Sequence, residues 1–75
     1  MEITSIKNKH IGNNICPQYL HKKLDMDRTE LVLDSPLLIV YESGSFFSHE
    51  NIIGVEFLNT TTIRIETINK IWTIQ

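Results

Sequence analysis

The chain has no alanine, one cysteine, three glycines and two prolines among its 75 residues. Alanine is the strongest helix former. Its absence, beside twelve isoleucines and seven threonines, weighs against a helical fold. A lone Cys16 excludes an internal disulfide. The few glycines form neither a phosphate-cradling loop nor a dinucleotide fingerprint, and no G-x-S-x-G nucleophile turn is present. No apolar run approaches the ~18 residues of a membrane span, and no secretory apolar region is visible, so a cytoplasmic protein is expected. Basic charge is also short: seven Lys and Arg against nine Asp and Glu leave a net charge of −2.

What the chain does have is concentrated in residues 51–75, which hold seven of the twelve isoleucines and the only tryptophan. Ile53, Val55 and Phe57 alternate with Gly54 and Glu56, the period of two of a half-buried strand. Ile63-Arg64-Ile65-Glu66-Thr67 alternates again. A three-residue loop at 59–61 pairs Phe57 with Ile63, Glu56 with Arg64 and Val55 with Ile65. Apolar partners then share one face and a Glu–Arg pair the other, whereas a one-residue slip mixes the faces. A second hairpin with Asn69-Lys70 as its loop pairs Ile68 with Ile71, Thr67 with Trp72 and Ile65 with Ile74. The predicted core face is Ile53, Val55, Phe57, Ile63, Ile65, Thr67, Trp72 and Ile74. The last strand is expected to be a free edge, open to pairing with another copy.

The remainder reads as what covers this sheet. Met1-Glu2-Ile3-Thr4-Ser5-Ile6 is a short strand candidate, although Ile3 and Ile6 fall on opposite faces. Residues 7–16 read as loop, with turn material at Gly12, Asn13 and Asn14. Pro17, Leu20 and Leu24 suggest a short amphipathic helix over residues 17–26. Leu31 and Leu33 suggest a further strand, broken by Asp34-Ser35-Pro36. Leu37-Leu38-Ile39-Val40-Tyr41 is apolar on both faces and reads as a central strand. A Ser43-Gly44 turn then pairs Tyr41 with Phe46 and Val40 with Phe47. The expected architecture is mainly β (α+β): one domain over residues 1–75, a small antiparallel meander or barrel-like roll of five or six strands with one short helix in its N-terminal half.

The chemistry-bearing residues are sparse. His10, Cys16 and His21 give the spacing H-x5-C-x4-H, without the close pairs of structural zinc sites, so no metal or cofactor is expected. Cys16 could serve as a thiol nucleophile only with a histidine brought beside it, and a chain this small leaves little volume for a pocket. No catalytic residue is assigned and no enzyme is expected. Charge is uneven: residues 1–28 sum to +2 and residues 29–75 to −4.

Two function classes follow. The favoured one is a non-enzymatic protein-binding module. Phe46 and Phe47 follow a glycine turn, and alternation sends only one of them inward. Glu42, Glu50, Glu56 and Glu66 offer negative charge to a basic partner. Isoleucine and asparagine codons are AT-rich, which points to a phage or mobile-element regulator or inhibitor that occludes a larger partner in the host cytoplasm. The alternative is a small nucleic-acid-binding β-barrel using Lys7, Lys9, Lys22, Lys23 and Arg28. Overall acidity disfavours it, because non-specific affinity comes from neutralising phosphates. A core this small is also marginal, which makes a homo-oligomer expected.

Overall fold

A computed structural model describes residues 1–11 and 15–75. Among the described residues five strands form: β1 (Ile3–Asn8), β2 (Pro36–Val40), β3 (Phe46–Asn59), β4 (Thr62–Thr67) and β5 (Lys70–Ile74). Their order is β1-β5-β4-β3-β2, with every neighbouring pair antiparallel, in one sheet curled into a half-barrel. The turn expected at Gly12, Asn13 and Asn14 lies outside the described residues.

The β3–β4 register is the one the alternation predicts: Val55 faces Ile65, Glu56 faces Arg64 and Phe57 faces Ile63. A bulge between Phe57 and Asn59 lets Asn59 pair with Thr62, so the loop shortens to Thr60-Thr61. Asn59 Oδ1 holds it by accepting from the Thr61 N–H (2.8 Å) and hydroxyl (2.9 Å). The β4–β5 register differs from the expected one by two residues. Ile65 faces Trp72 and Ile63 faces Ile74, so the turn is Ile68-Asn69 rather than Asn69-Lys70. An even shift preserves faces, and Ile63, Ile65, Thr67, Trp72 and Ile74 are all buried as expected.

Two members of the predicted core face are corrected. A bulge between Ile52 and Gly54 puts Ile52 in the core, fully buried, and leaves Ile53 50% exposed. Phe57 keeps its expected cross-strand partner but is 71% exposed, on the stretch of β3 beyond Asn51 where β2 no longer pairs with it. A third bulge, between Ile3 and Ser5, explains why Ile3 and Ile6 are both fully buried despite their odd spacing.

The last strand is not an edge: β5 lies between β1 and β4. The edge that a C-terminal homo-oligomer contact would need is therefore taken by β1 of the same chain. Nor does residues 17–26 form the expected helix. Only Pro17–Tyr19 is helical, one 3-10 turn bounded by Cys16 at φ 53° and an extended Leu20. The segment instead runs along the outside of β1. The N–H groups of Ile15, His21 and Leu24 donate to the carbonyls of Ile6, Ile3 and Met1. A helix would have left those edge carbonyls unpaired.

The same segment continues onto β2. Leu24 bridges Tyr41, the Asp25 N–H donates to Val40 O at 2.8 Å, and Glu30 bridges Leu38. Residues 31–34 form no strand; Leu33 makes a single parallel bridge to Ile52. So β2, expected as a central strand covered on both faces, ends the sheet order but has a backbone neighbour on each side; Leu37 and Ile39 on its inner face are fully buried, whereas on its outer face Pro36 is exposed and Leu38 half-buried. The core beneath is one cluster, built chiefly from Ile3, Ile6, Leu37, Ile39, Ile52, Ile65, Trp72 and Ile74.

Candidate interaction surface

The hairpin joining β2 to β3 decides which phenylalanine is presented. Tyr41 N–H donates to Ser45 O (2.8 Å) and Gly44 N–H to Tyr41 O (2.9 Å), closing a three-residue loop over residues 42–44. Gly44 sits at φ 94°, as the last residue of such a loop requires. Compared with the expected two-residue loop, the register slips by one: Val40 faces Phe46 and Ile39 faces Phe47. Ile39 points into the core, so Phe47 does too. Its ring stacks on Tyr19, with centroids 3.9 Å apart, and lies 6.0 Å from both Tyr41 and Trp72. Phe46 faces outward and is 70% exposed.

Beside it on the outer face, Leu38 pairs with Ser48. Glu30, Val32, Ser35, Pro36, Leu38 and Ser48 line an open depression of about 310 Å³. The backbone contact of Glu30 with Leu38 (N–H to O, 2.9 Å) and the bridge from Leu33 to Ile52 fix its wall. No histidine, cysteine or lysine lines it. The sequence reading missed this depression because residues 31–33 read as a strand. The signal that could have found it was the apolar Leu31-Val32-Leu33 run next to a proline break.

The acidic candidates separate. Glu42 is exposed in the hairpin loop, its carboxylate unpaired among the described residues. Glu56 makes the expected partly exposed contact with Arg64, at 3.6 Å. Glu66 is bound by Lys9 at 2.6 Å, and this bond holds its carboxyl below the ordinary range. Glu50 is occupied internally. It accepts from the Thr67 hydroxyl (2.6 Å), the Asn69 N–H (2.7 Å) and Asn69 Nδ2 (3.2 Å), with Lys70 Nζ at 3.6 Å. Burial alone would raise its carboxyl, but these donors outweigh it and hold it below the usual carboxylate range. Phe47, Glu50 and Glu66 therefore serve the fold, while Phe46 and Glu42 stay available.

The basic residues do not converge. Lys9 is spent on Glu66, Lys22 sits 5.6 Å over the Tyr41 ring, and Arg28 contacts Asp25 at 3.6 Å. Lys7 and Lys23 are exposed. Among the described residues, no three His, Cys, Asp or Glu side chains gather as a metal site. His21 contacts Glu2 instead, at 3.1 Å. His49 lies edge-on to Trp72 at 5.2 Å with its Nδ1 buried and unpaired; burial, then Lys70, pushes its pKa down against the pull of Glu50. Tyr41 donates to Tyr19 O at 2.9 Å, and burial pushes its hydroxyl up to about 12. No helix among the described residues is long and apolar enough to cross a membrane. No family model, curated protein or solved structure matches the chain.

Proposed function

We propose that the protein is a non-enzymatic protein-binding module that presents Phe46 as its anchor to a larger partner. The observation that carries this reading is the outward turn of Phe46. It is 70% exposed at the end of a glycine-held hairpin, next to the depression over Leu38. Tyr19, Tyr41, Phe47 and Trp72 are packed against one another or into the core. An exposed aromatic beside a depression lined by Val32, Pro36 and Leu38 with Glu30, Ser35 and Ser48 suits the centre of an interface, where aromatic anchors carry most of the binding energy. Glu30 and Glu42, both exposed, give the rim a negative sign and favour a partner with basic residues. A module of this size acts by covering the partner's own site, as a regulator or inhibitor. The composition-based expectation of a phage or mobile-element origin and a cytoplasmic setting belongs to the same proposal.

The test is capture from host lysate with and without nuclease, using wild type and Phe46→Ser. A protein retained in high salt after nuclease treatment and lost with Phe46→Ser supports the reading. Loss of all partners on nuclease treatment refutes it in favour of nucleic-acid binding.

A further inference from the structure

The backbone of β3 is used unevenly. β2 pairs with it only as far as Asn51. Ile52 is then taken up by the turn before β2: its N–H donates to Ser35 O and its carbonyl accepts from Asp34, both at 2.9 Å. Beyond Ile52, β4 pairs with one edge of β3. Among the described residues, nothing pairs with the other edge between Ile53 and Leu58. The outer edges of β1 and β2 are both covered by residues 15–33, so this is the open edge of the sheet. Ile53, Phe57 and Leu58 are 50%, 71% and 52% exposed along it. An unpaired edge lined with exposed apolar side chains is a template for strand addition.

The residues themselves say which strand fits. Read antiparallel against itself about Val55, the stretch sets Ile53 opposite Phe57 of the other copy. Gly54 then lies opposite Glu56, and Val55 opposite itself. Apolar side chains meet apolar ones, and the only charged residue meets the residue with no side chain. The pairing needs five residues, 53–57, which lie within the free edge. Centring on Glu56 would put two carboxylates directly opposite, which destabilises a strand pair. We infer that this chain forms a two-fold homodimer by antiparallel pairing of residues 53–57 of β3, centred on Val55. The Phe46 surface lies at the far end of β3, so the dimer presents two such surfaces and does not depend on what they bind.

Sedimentation and oxidative cross-linking test this. Wild type is expected to sediment as a dimer at high protein concentration, Phe57→Lys as a folded monomer and Phe46→Ser still as a dimer. In a Cys16→Ser background, Val55→Cys places two thiols across the axis. Directly opposed residues have Cα atoms ~4.5–5.5 Å apart, within the range of a disulfide. Phe57→Cys places them four residues out of step, roughly 14 Å at ~3.4 Å per residue, and is expected not to cross-link. A wild-type monomer at every concentration overturns the inference and leaves the edge to a strand from another protein. A dimer that survives Phe57→Lys, or equal cross-linking of the two cysteine variants, also overturns it.

Discussion

Replacing Glu50 tests how the sheet is held together, because one carboxylate on β3 clamps the whole β4–β5 turn. Glu50→Ala removes the acceptor for the Thr67 hydroxyl and for the Asn69 N–H. Thr67 is fully buried, and its oxygen already accepts from Trp72 Nε1 at 3.0 Å. Its proton is then left with only the Lys70 carbonyl at 3.4 Å. Hydrogen bonds to a charged group contribute ~1.5–3 kcal/mol, and an unmet buried donor costs a similar amount. With partial relaxation of the turn, the expected loss is about 2–3 kcal/mol. A chain of this size has a total stability of roughly 4–11 kcal/mol. Urea unfolding followed by the fluorescence of Trp72, the only tryptophan, reads this directly. With a slope of ~1 kcal/mol per molar, the midpoint falls by about 2–3 M. Glu50→Gln keeps an oxygen acceptor and is expected to lose about half as much. The acid behaviour follows from the depressed carboxyl pKa. The clamp's contribution is complete above the unfolded value of 4.5 and is lost as pH falls through the lower folded value. Glu66 is also held below its ordinary value, chiefly by Lys9, so Glu50→Gln should flatten the acid slope without abolishing it. An alanine variant within ~0.5 kcal/mol of wild type, the scatter of ordinary surface substitutions, would refute the clamp.

Three further outcomes are expected. Val55→Asp should cost at least about 2 kcal/mol, because it sets a charge against the core opposite Ile65, while Glu56→Lys loses only the ~0.2–1 kcal/mol of its contact with Arg64; near-equal midpoints would contradict the β3–β4 register. Phe47→Ala should cost ~2–4 kcal/mol and Phe46→Ser less than ~0.5 kcal/mol, since only the first ring is stacked on Tyr19; the reverse order in thermal unfolding would show the hairpin register to be off by one. The depressed His49 pKa means that the unfolded chain takes up the proton first, so stability should fall as pH drops below 6.5, and His49→Phe should remove that part of the fall; an unchanged pH profile in the variant would exclude His49 as its source.

Much of the sheet was legible because its pairings are local. The Glu56–Arg64 and Phe57–Ile63 matches set the β3–β4 register without any tertiary information. Where the reading slipped, a distant or backbone-level cause was at work. The β4–β5 register moved by two residues, and its turn by one, because the turn's amide and hydroxyl are satisfied by Glu50, which lies 17 residues before Thr67. The β2–β3 hairpin moved by one because Gly44 serves as the third loop residue. Bulges beside Ile3 and Ile52 reset the alternation, and nothing in a period-two pattern announces them. The pairing of β1 with β5 joins the two ends of the chain and has no local signature, so β5 looked like an edge. Residues 17–26 carry a helical pattern, but the unpaired edge of β1 draws them into an extended path. At the candidate surface, alternation correctly limited the exposed ring to one of Phe46 and Phe47. It could not choose between them, and Glu50 and Glu66 looked free because Thr67, Asn69 and Lys9 reach them only through the fold.

The most direct test of the account is the affinity of the captured partner for wild type and Phe46→Ser, measured by calorimetry with both proteins shown to be folded. Loss of an anchoring aromatic costs about 2 kcal/mol or more, which is roughly a thirtyfold weakening at ~1.4 kcal/mol per decade. The account predicts a loss of that size with an unchanged unfolding midpoint. Equal affinities for the two proteins would contradict it.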